Sequence, residues 1–357
     1  EPVSWAASSV AKMSAPHTAT AAAHPNIALA KYWGKHPYGH NLPAVPSLSV
    51  TLEGMRTLTR VSFDASLGSD VLELGGRRAS GLELERVSSL LDRVRARAGV
   101  AHRAHVVSHN DFPTASGLAS SASAFAALAV AAAGAAGLEL SAAELSDLAR
   151  RTSVSSARSV FGGYVELRAG QEGDEALSAS ELAPPEHWDL RIVVAVTREG
   201  AKDVGSSDGM RHTSLTSPYF PAWVEHAPKM FARVRRALLE RDLEGLGEAV
   251  EHSALAMHAA AIAADPGVVY WSGATLEALA ELRRQRRAGL PGWGTIDAGP
   301  HLKVLTTSAH AERVAAVMRE VPGVLRTILT EPGRGASLVD EQAPPGDADA
   351  PEEASST

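Results

Sequence analysis

Residues 112–124 read Phe-Pro-Thr-Ala-Ser-Gly-Leu-Ala-Ser-Ser-Ala-Ser-Ala, a proline and glycine turn running into a stretch of small residues. A turn of this kind opens a helix whose first N–H groups have no intrahelical partner, and with the helix dipole they form a cradle for phosphate oxygens. The small residues of this stretch let the backbone approach a ligand closely. The Ser120 and Ser121 hydroxyls can reach phosphate or magnesium, a cation that prefers hard oxygen ligands and shares them with the nucleotide. The spacing is not the P-loop pattern GxxxxGK followed by Ser or Thr, so a P-loop NTPase fold is disfavoured. Read alone, the same small residues also serve close helix packing.

Working outward, the order of elements alternates β and α. Residues 19–35 combine short apolar alternation with a glycine stop and read as one strand entering a turn. Residues 48–52, 57–63 and 104–108 read as strands, and 85–98 as a helix through Val87, Leu90, Leu91 and Val94. The cradle helix runs to about residue 136, and Ser141 with Glu144 forms a capping box for the next helix. Strands are expected at 162–167 and 190–197. Amphipathic helices fill 218–287, broken at Asp265-Pro266-Gly267. Residues 294–297, 302–306 and 323–329 read as strands and 309–319 as a helix.

The 357 residues suit two domains, 19–188 and 189–340. Residues 1–18 are read as disordered or added ahead of a natural start at Met13, and 341–357 as a disordered acidic tail. A net charge of −7 gives no basic face for nucleic acid. The chain has no cysteine, which removes thiol nucleophiles and thiolate metal sites and fits a reducing compartment, here the cytoplasm. No apolar run is long enough to span a membrane.

Four further segments carry chemistry. Asn26 to Lys35 (NIALAKYWGK) gathers Lys31, Lys35 and Tyr32 around one turn, which suits an anionic substrate as well as a solvated surface. Ser153 to Gly163 (SVSSARSVFGG) sets Arg158 among the hydroxyls of Ser153 and Ser155. Its guanidinium fork matches a carboxylate, and the serines also fit helix capping. Gly294 to Pro300 (GTIDAGP) places Asp297 at a strand end, as an Asx-turn residue or a catalytic base. Lys202 to Met210 (KDVGSSDGM), with Lys202 and Ser206, reads as a polar loop able to reach phosphate.

Taken together and in order, NIALxKYWGK, FPTAxGLASSA, SxxxARSxFGG, DGMxxTxxTSPYxxAW (Asp208 to Trp223) and DAGP (Asp297 to Pro300) resemble the diphosphomevalonate decarboxylases of the GHMP kinase superfamily. The likeness runs from about Thr20 to Ser337. It implies an α+β, two-domain GHMP kinase fold: a ribosomal protein S5 domain 2-like N-terminal domain plus a ferredoxin-like C-terminal domain. It also implies ATP and Mg2+ as cofactors, a phosphorylated small-molecule substrate and a homodimer. By position, Asp297 matches the acidic residue that removes or orients the 3-hydroxyl proton, Arg158 the carboxylate-holding arginine, and Ser121 the catalytic and magnesium-binding serine. Tyr32, Lys35, Lys31, Ser153, Ser155 and Ser206 match substrate-contacting positions. Pro113, Ala115, Gly117, Leu118, Ala119, Ser120, Ser121, Asn110 and Lys202 match nucleotide-contacting ones.

The chain departs from the pattern at His36-Pro37, at Val45-Pro46-Ser47, at Val154 and at Ser207, where many bacterial relatives carry an arginine on the substrate diphosphate. These departures keep a mevalonate 5-phosphate decarboxylase or a 3-hydroxyl kinase as alternatives. A non-catalytic nucleotide- or metabolite-binding protein on the same fold is the alternative of a different class.

Overall fold

The computed structural model describes residues 18–112, 120–200 and 203–340. Its six-stranded sheet has the order β14 (Ser337–Val339), β1 (Thr18–Ala23), β4 (Thr57–Asp64), β7 (Arg103–Asn110), β5 (Val71–Leu74), β6 (Arg77–Ala79). All neighbours are antiparallel except β5 and β7. In β4 the alternate residues Val61 and Phe63 are fully buried while Arg60 and Ser62 are only partly so, the two-residue period of a sheet with one face on the core. That face is covered by α1 (Leu82–Ala98) and α2 (Ser120–Ala135), with α3 (Ala142–Arg150) beside them. Helix α2 is apolar on nearly all sides and buried on most of them, as a core helix must be. Its Gly134 leaves room for β14, since a Cβ there would lie 2.9 Å from Leu338. The capping box of Ser141 and Glu144 is present on α3, and α4 (Ser156–Ser159) follows it.

A second sheet has the order β2 (Asn26–Ala30), β3 (Ser47–Thr51), β8 (Tyr164–Leu167), β9 (Ser180–Ala183). The third has the order β11 (Trp293–Ile296), β12 (Leu302–Thr307), β10 (Leu190–Val196), β13 (Arg326–Thr330). Alternation along β10 sends Val193 and Ala195 toward a core closed by α8 (Gly273–Arg287) and α9 (Ser308–Arg319). Ile192, Val194 and Val196 face the other way, toward α6 (Phe220–Glu240) and α7 (Leu243–Ile262). The same core takes in Ile27, Leu29, Leu48 and Val50 from the second sheet, so α6 and α7 join the two halves of the chain.

Four expectations change. Residues 19–30 form two strands in different sheets, because Pro25 has no N–H to continue a ladder. The segment read as a polar loop before Met210 holds the start of α5 (Ser206–Thr216), with Gly205 as its extended N-cap residue. Residues 337–339, placed by sequence with the C-terminal half, pair with β1 of the first sheet, so the chain crosses back at its end. Thr18, read as the end of a disordered or added N-terminus, is instead the first residue of β1 and pairs with Ser62; the readings of residues 1–17 and 341–357 fall outside the described residues.

Candidate active site

The turn after β2 brings Lys31 to Lys35 to the mouth of a cleft. Gly34 makes the bend at φ +105°, and a Cβ there would sit 2.6 Å from the Phe220 ring. Helix α6 pins the same turn, as the Trp223 indole N–H donates to Trp33 O at 2.8 Å. Gly34→Ala is therefore expected to cost about 2 kcal/mol through backbone strain and the clash, read as a lower urea midpoint with an unchanged slope.

The cleft has a volume of about 620 Å³. Lys31, Lys35, Arg86 and Arg158 bring four cations to its wall, against the carboxylates of Asp208 and Asp297. Such a balance attracts a polyanion. Ser120 and Ser121 lie on the first turn of α2, and Ser206 and Ser207 on that of α5, so two helix N-termini open on one space. Ser121 O accepts from Ser156 Oγ at 3.1 Å, which ties α2 to the start of α4.

Asp297 follows β11 in a turn that two threonines hold. Thr275 Oγ1 and Thr197 Oγ1 donate to Pro300 O at 2.5 and 2.9 Å. The Asp297 carboxylate lies between two buried ammonium groups: Lys31 Nζ contacts Oδ1, and Lys303 Nζ is 3.2 Å from Oδ2. Burial alone would raise this carboxyl, yet Lys31 and Lys303 hold it well below the usual carboxylate range, so it stays ionised. Burial also pushes the Lys31 ammonium down to about 8, against the pull of Asp297 and with the help of Lys303 and Arg158. A reaction that needs Lys31 charged should lose rate as pH rises through about 8, seen as an alkaline limb in kcat/KM.

Arg158 is fully buried on α4. Its Nη1 donates to Ser47 Oγ at 2.7 Å, Nε to Ser49 Oγ at 3.0 Å, and Nη2 to Asn26 Oδ1 at 3.4 Å. Asn26 in turn donates to Ser155 O at 3.0 Å and Ser159 Oγ at 2.8 Å. The described residues thus take three of the five guanidinium N–H groups, which leaves two for a carboxylate. Ser153 and Ser155 touch each other at 3.3 Å on the adjoining wall. Tyr32 Oη is buried without a partner among the described residues, and burial raises its pKa, so it stands as a phenol donor at the cleft.

Every expected site residue among the described ones lines this cleft except Asn110, whose Oδ1 instead accepts from Thr57 Oγ1 at 2.6 Å. Pro113, Ala115, Gly117, Leu118, Ala119 and Lys202 lie outside the described residues. Sequence reading missed Asn26, Arg86, Asp208 and Lys303. Arg86 comes from the second turn of α1, four residues after Leu82 on the same helix face, and stacks over Phe125 at 4.6 Å. Lys303 carried a signal, a single charge inside the apolar run of β12, a place where lysine is rare unless paired.

The profile of the diphosphomevalonate decarboxylase-like N-terminal domain matches residues 23–178, and that of the mevalonate 5-diphosphate decarboxylase C-terminal domain matches 192–337. The chain belongs to the diphosphomevalonate decarboxylase family. Among relatives, the diphosphomevalonate decarboxylase of Candida albicans is 34% identical over 86% of this chain and 90% of its own length. The phosphomevalonate decarboxylase of Haloferax volcanii is 33% identical over 90% of this chain and 98% of its own. The mevalonate diphosphate decarboxylase structure from Staphylococcus aureus superposes with a TM-score of 0.86 at 36% identity, over 91% of this chain and 99% of that one. The enzyme abbreviated MDDEF, in complex with MVAPP, AMPPCP and magnesium, gives 0.85 at 39% identity over the same shares. The diphosphomevalonate decarboxylase family thus accounts for the mixed α/β two-domain fold and for an enzyme's cleft between its parts.

Proposed function

We propose that this chain catalyses the ATP-dependent decarboxylation of mevalonate 5-diphosphate to isopentenyl diphosphate, ADP, phosphate and CO2. The observation that carries the reading is an ionised carboxylate, Asp297, sharing one cationic cleft with the buried guanidinium of Arg158. The substrate 3-hydroxyl donates a hydrogen bond to the ionised Asp297, which orients it for attack on the γ-phosphorus; as the O–P bond forms and ADP leaves, the hydroxyl proton passes to an oxygen of the transferred phosphoryl group. The C3–O bond then breaks with phosphate departing, and the C1–C2 bond breaks to release CO2, its electron pair forming the C2=C3 double bond. Arg158 holds the carboxylate that leaves, bidentately through its two remaining N–H groups. Lys35 and Arg86 lie where the phosphates of an extended substrate are held, with the Tyr32 hydroxyl as donor. The Ser120 and Ser121 hydroxyls at the start of α2 are hard oxygens that would hold magnesium, which would supply charge to screen the nucleotide's phosphates. The walls exclude water from the electron-deficient carbon.

Ser207 in place of an arginine, together with the departure at Pro46, favours the monophosphate as substrate. The test presents mevalonate, its 5-phosphate and its 5-diphosphate separately with magnesium-ATP and measures ADP and CO2 together. Matched ADP and CO2 from the diphosphate is the expected result. The same match from the monophosphate alone transfers the reading to that substrate, and ADP without CO2 makes the chain a kinase. A cytoplasmic homodimer completes the proposal; no helix among the described residues is long and apolar enough to cross a membrane.

A further inference from the structure

We infer that Lys303 is a positioning residue for this reaction, holding the second oxygen of Asp297 from behind the cleft wall so that the carboxylate acts as a fixed anion. The inference rests on the proposed decarboxylation and adds to it a residue that never meets the substrate. Lys303 has no exposed surface and is not part of the cleft lining. Its route to the reacting atoms is through Asp297 Oδ2, 3.2 Å away.

The backbone explains the placement. Thr295 pairs with Lys303 and Ile296 with Leu302 across β11 and β12, so the strand that delivers Asp297 has Lys303 as its lateral neighbour. The rest of β12 is apolar or threonine and mostly buried. A buried ammonium in such a strand is costly unless it is paired, and the partner here is Asp297 Oδ2. What the ammonium supplies is a second fixed contact on the carboxylate, which sets its rotamer and keeps it charged.

The charged and titratable groups facing Asp297 come from every element around it. Lys31 lies at the end of β2, Arg158 on α4, His258 on α7, and His301 and Lys303 on either side of the start of β12. Burial pushes both histidines down to about 3, so they are neutral and leave the carboxylate to the cations. Removing Lys303 therefore acts on two groups in the same direction. Asp297 loses a stabilising cation and its pKa rises. Lys31 loses a repelling cation and its pKa rises as well.

Two full-chain variants test this, Lys303→Met and Lys303→Gln, which share the loss of charge and differ in shape. Both are expected to lower kcat about 100-fold with little change in the KM for ATP. Both should move the alkaline limb of kcat/KM to higher pH. The chain has six lysines, so the titration of Lys31 can also be followed in protein carrying 13C at lysine Cε. It is expected near 8 in the wild type and higher in both variants, whatever substrate the enzyme accepts. Reduced activity with an unmoved alkaline limb and an unmoved Lys31 titration would make Lys303 merely structural and overturn the inference. So would wild-type kcat in either variant. A wild type that fails to release CO2 from any of the three acids overturns the proposed reaction instead, and the Lys31 titration still decides whether Lys303 governs this carboxylate.

Discussion

Asp297→Asn is expected to lower kcat by about 10³-fold while leaving nucleotide binding close to wild type. The substitution keeps the shape of the side chain and removes its charge, so the loss isolates electrostatics from packing. The amide that replaces the carboxylate presents no anion to orient the hydroxyl, and it leaves the buried ammoniums of Lys31 and Lys303 without their shared counter-ion. Lys31, already lowered to about 8, then gives up its proton at still lower pH. The cation that should meet the substrate is lost near neutrality along with the carboxylate. Coupled ADP and CO2 measurements across the neutral range and on either side of it, with titration of a fluorescent ATP analogue, separate these effects. Wild-type turnover at any pH in that series would remove Asp297 from the mechanism.

Arg158→Met should reduce CO2 release by about 10²- to 10³-fold and raise the substrate KM, because the leaving carboxylate loses its bidentate partner. The same change strips donors from Ser47 Oγ, Ser49 Oγ and Asn26 Oδ1. Each acceptor left unsatisfied costs about 1–3 kcal/mol, so a lower unfolding midpoint accompanies the kinetic loss. Arg158→Lys sorts the two contributions. It restores a positive charge but cannot serve three acceptors and a carboxylate from one nitrogen, so it should regain stability more fully than turnover. A lysine variant with wild-type kcat would show that charge alone suffices and that the fork has no role in catalysis.

Most of this site was legible because its contributors sit in short contiguous segments with unusual residue combinations. A turn holding Lys31, Tyr32 and Lys35, or a glycine-flanked Asp297 at a strand end, announces itself locally. What could not be read is which of these meet, since Lys31 and Asp297 are 266 positions apart and are brought together by long-range packing such as that of α6 and α7 between two sheets. Arg86 looked like any surface arginine of an amphipathic helix, because its direction depends on how α1 is rotated against α2. Asp208 was assigned to a loop because Gly205 and two serines read as turn residues, whereas here they start a helix. Among the strands, β5 and β6 escaped notice because they are short, partly exposed and separated by Gly75-Gly76, without the alternation that marks a longer strand. The split at Pro25 was readable in principle, and only the continuous apolar run on either side concealed it.

The pairing of β14 with β1 also bears on how the protein is made. Strand β1 has β4 on one side early in synthesis, but its other edge stays open until residue 339 has left the ribosome. For most of translation, then, the nascent chain carries an unpaired strand edge beside an alanine-rich helix, the kind of surface that invites wrong pairing between growing chains. Closing it requires contact between residues about 300 positions apart, an ordering of the chain whose entropic cost comes late and slows the final step. A protein cut at its middle linker would separate that last strand from its partner. The two fragments should rejoin only when co-expressed, so the two-domain outline describes the finished shape better than the units in which it folds.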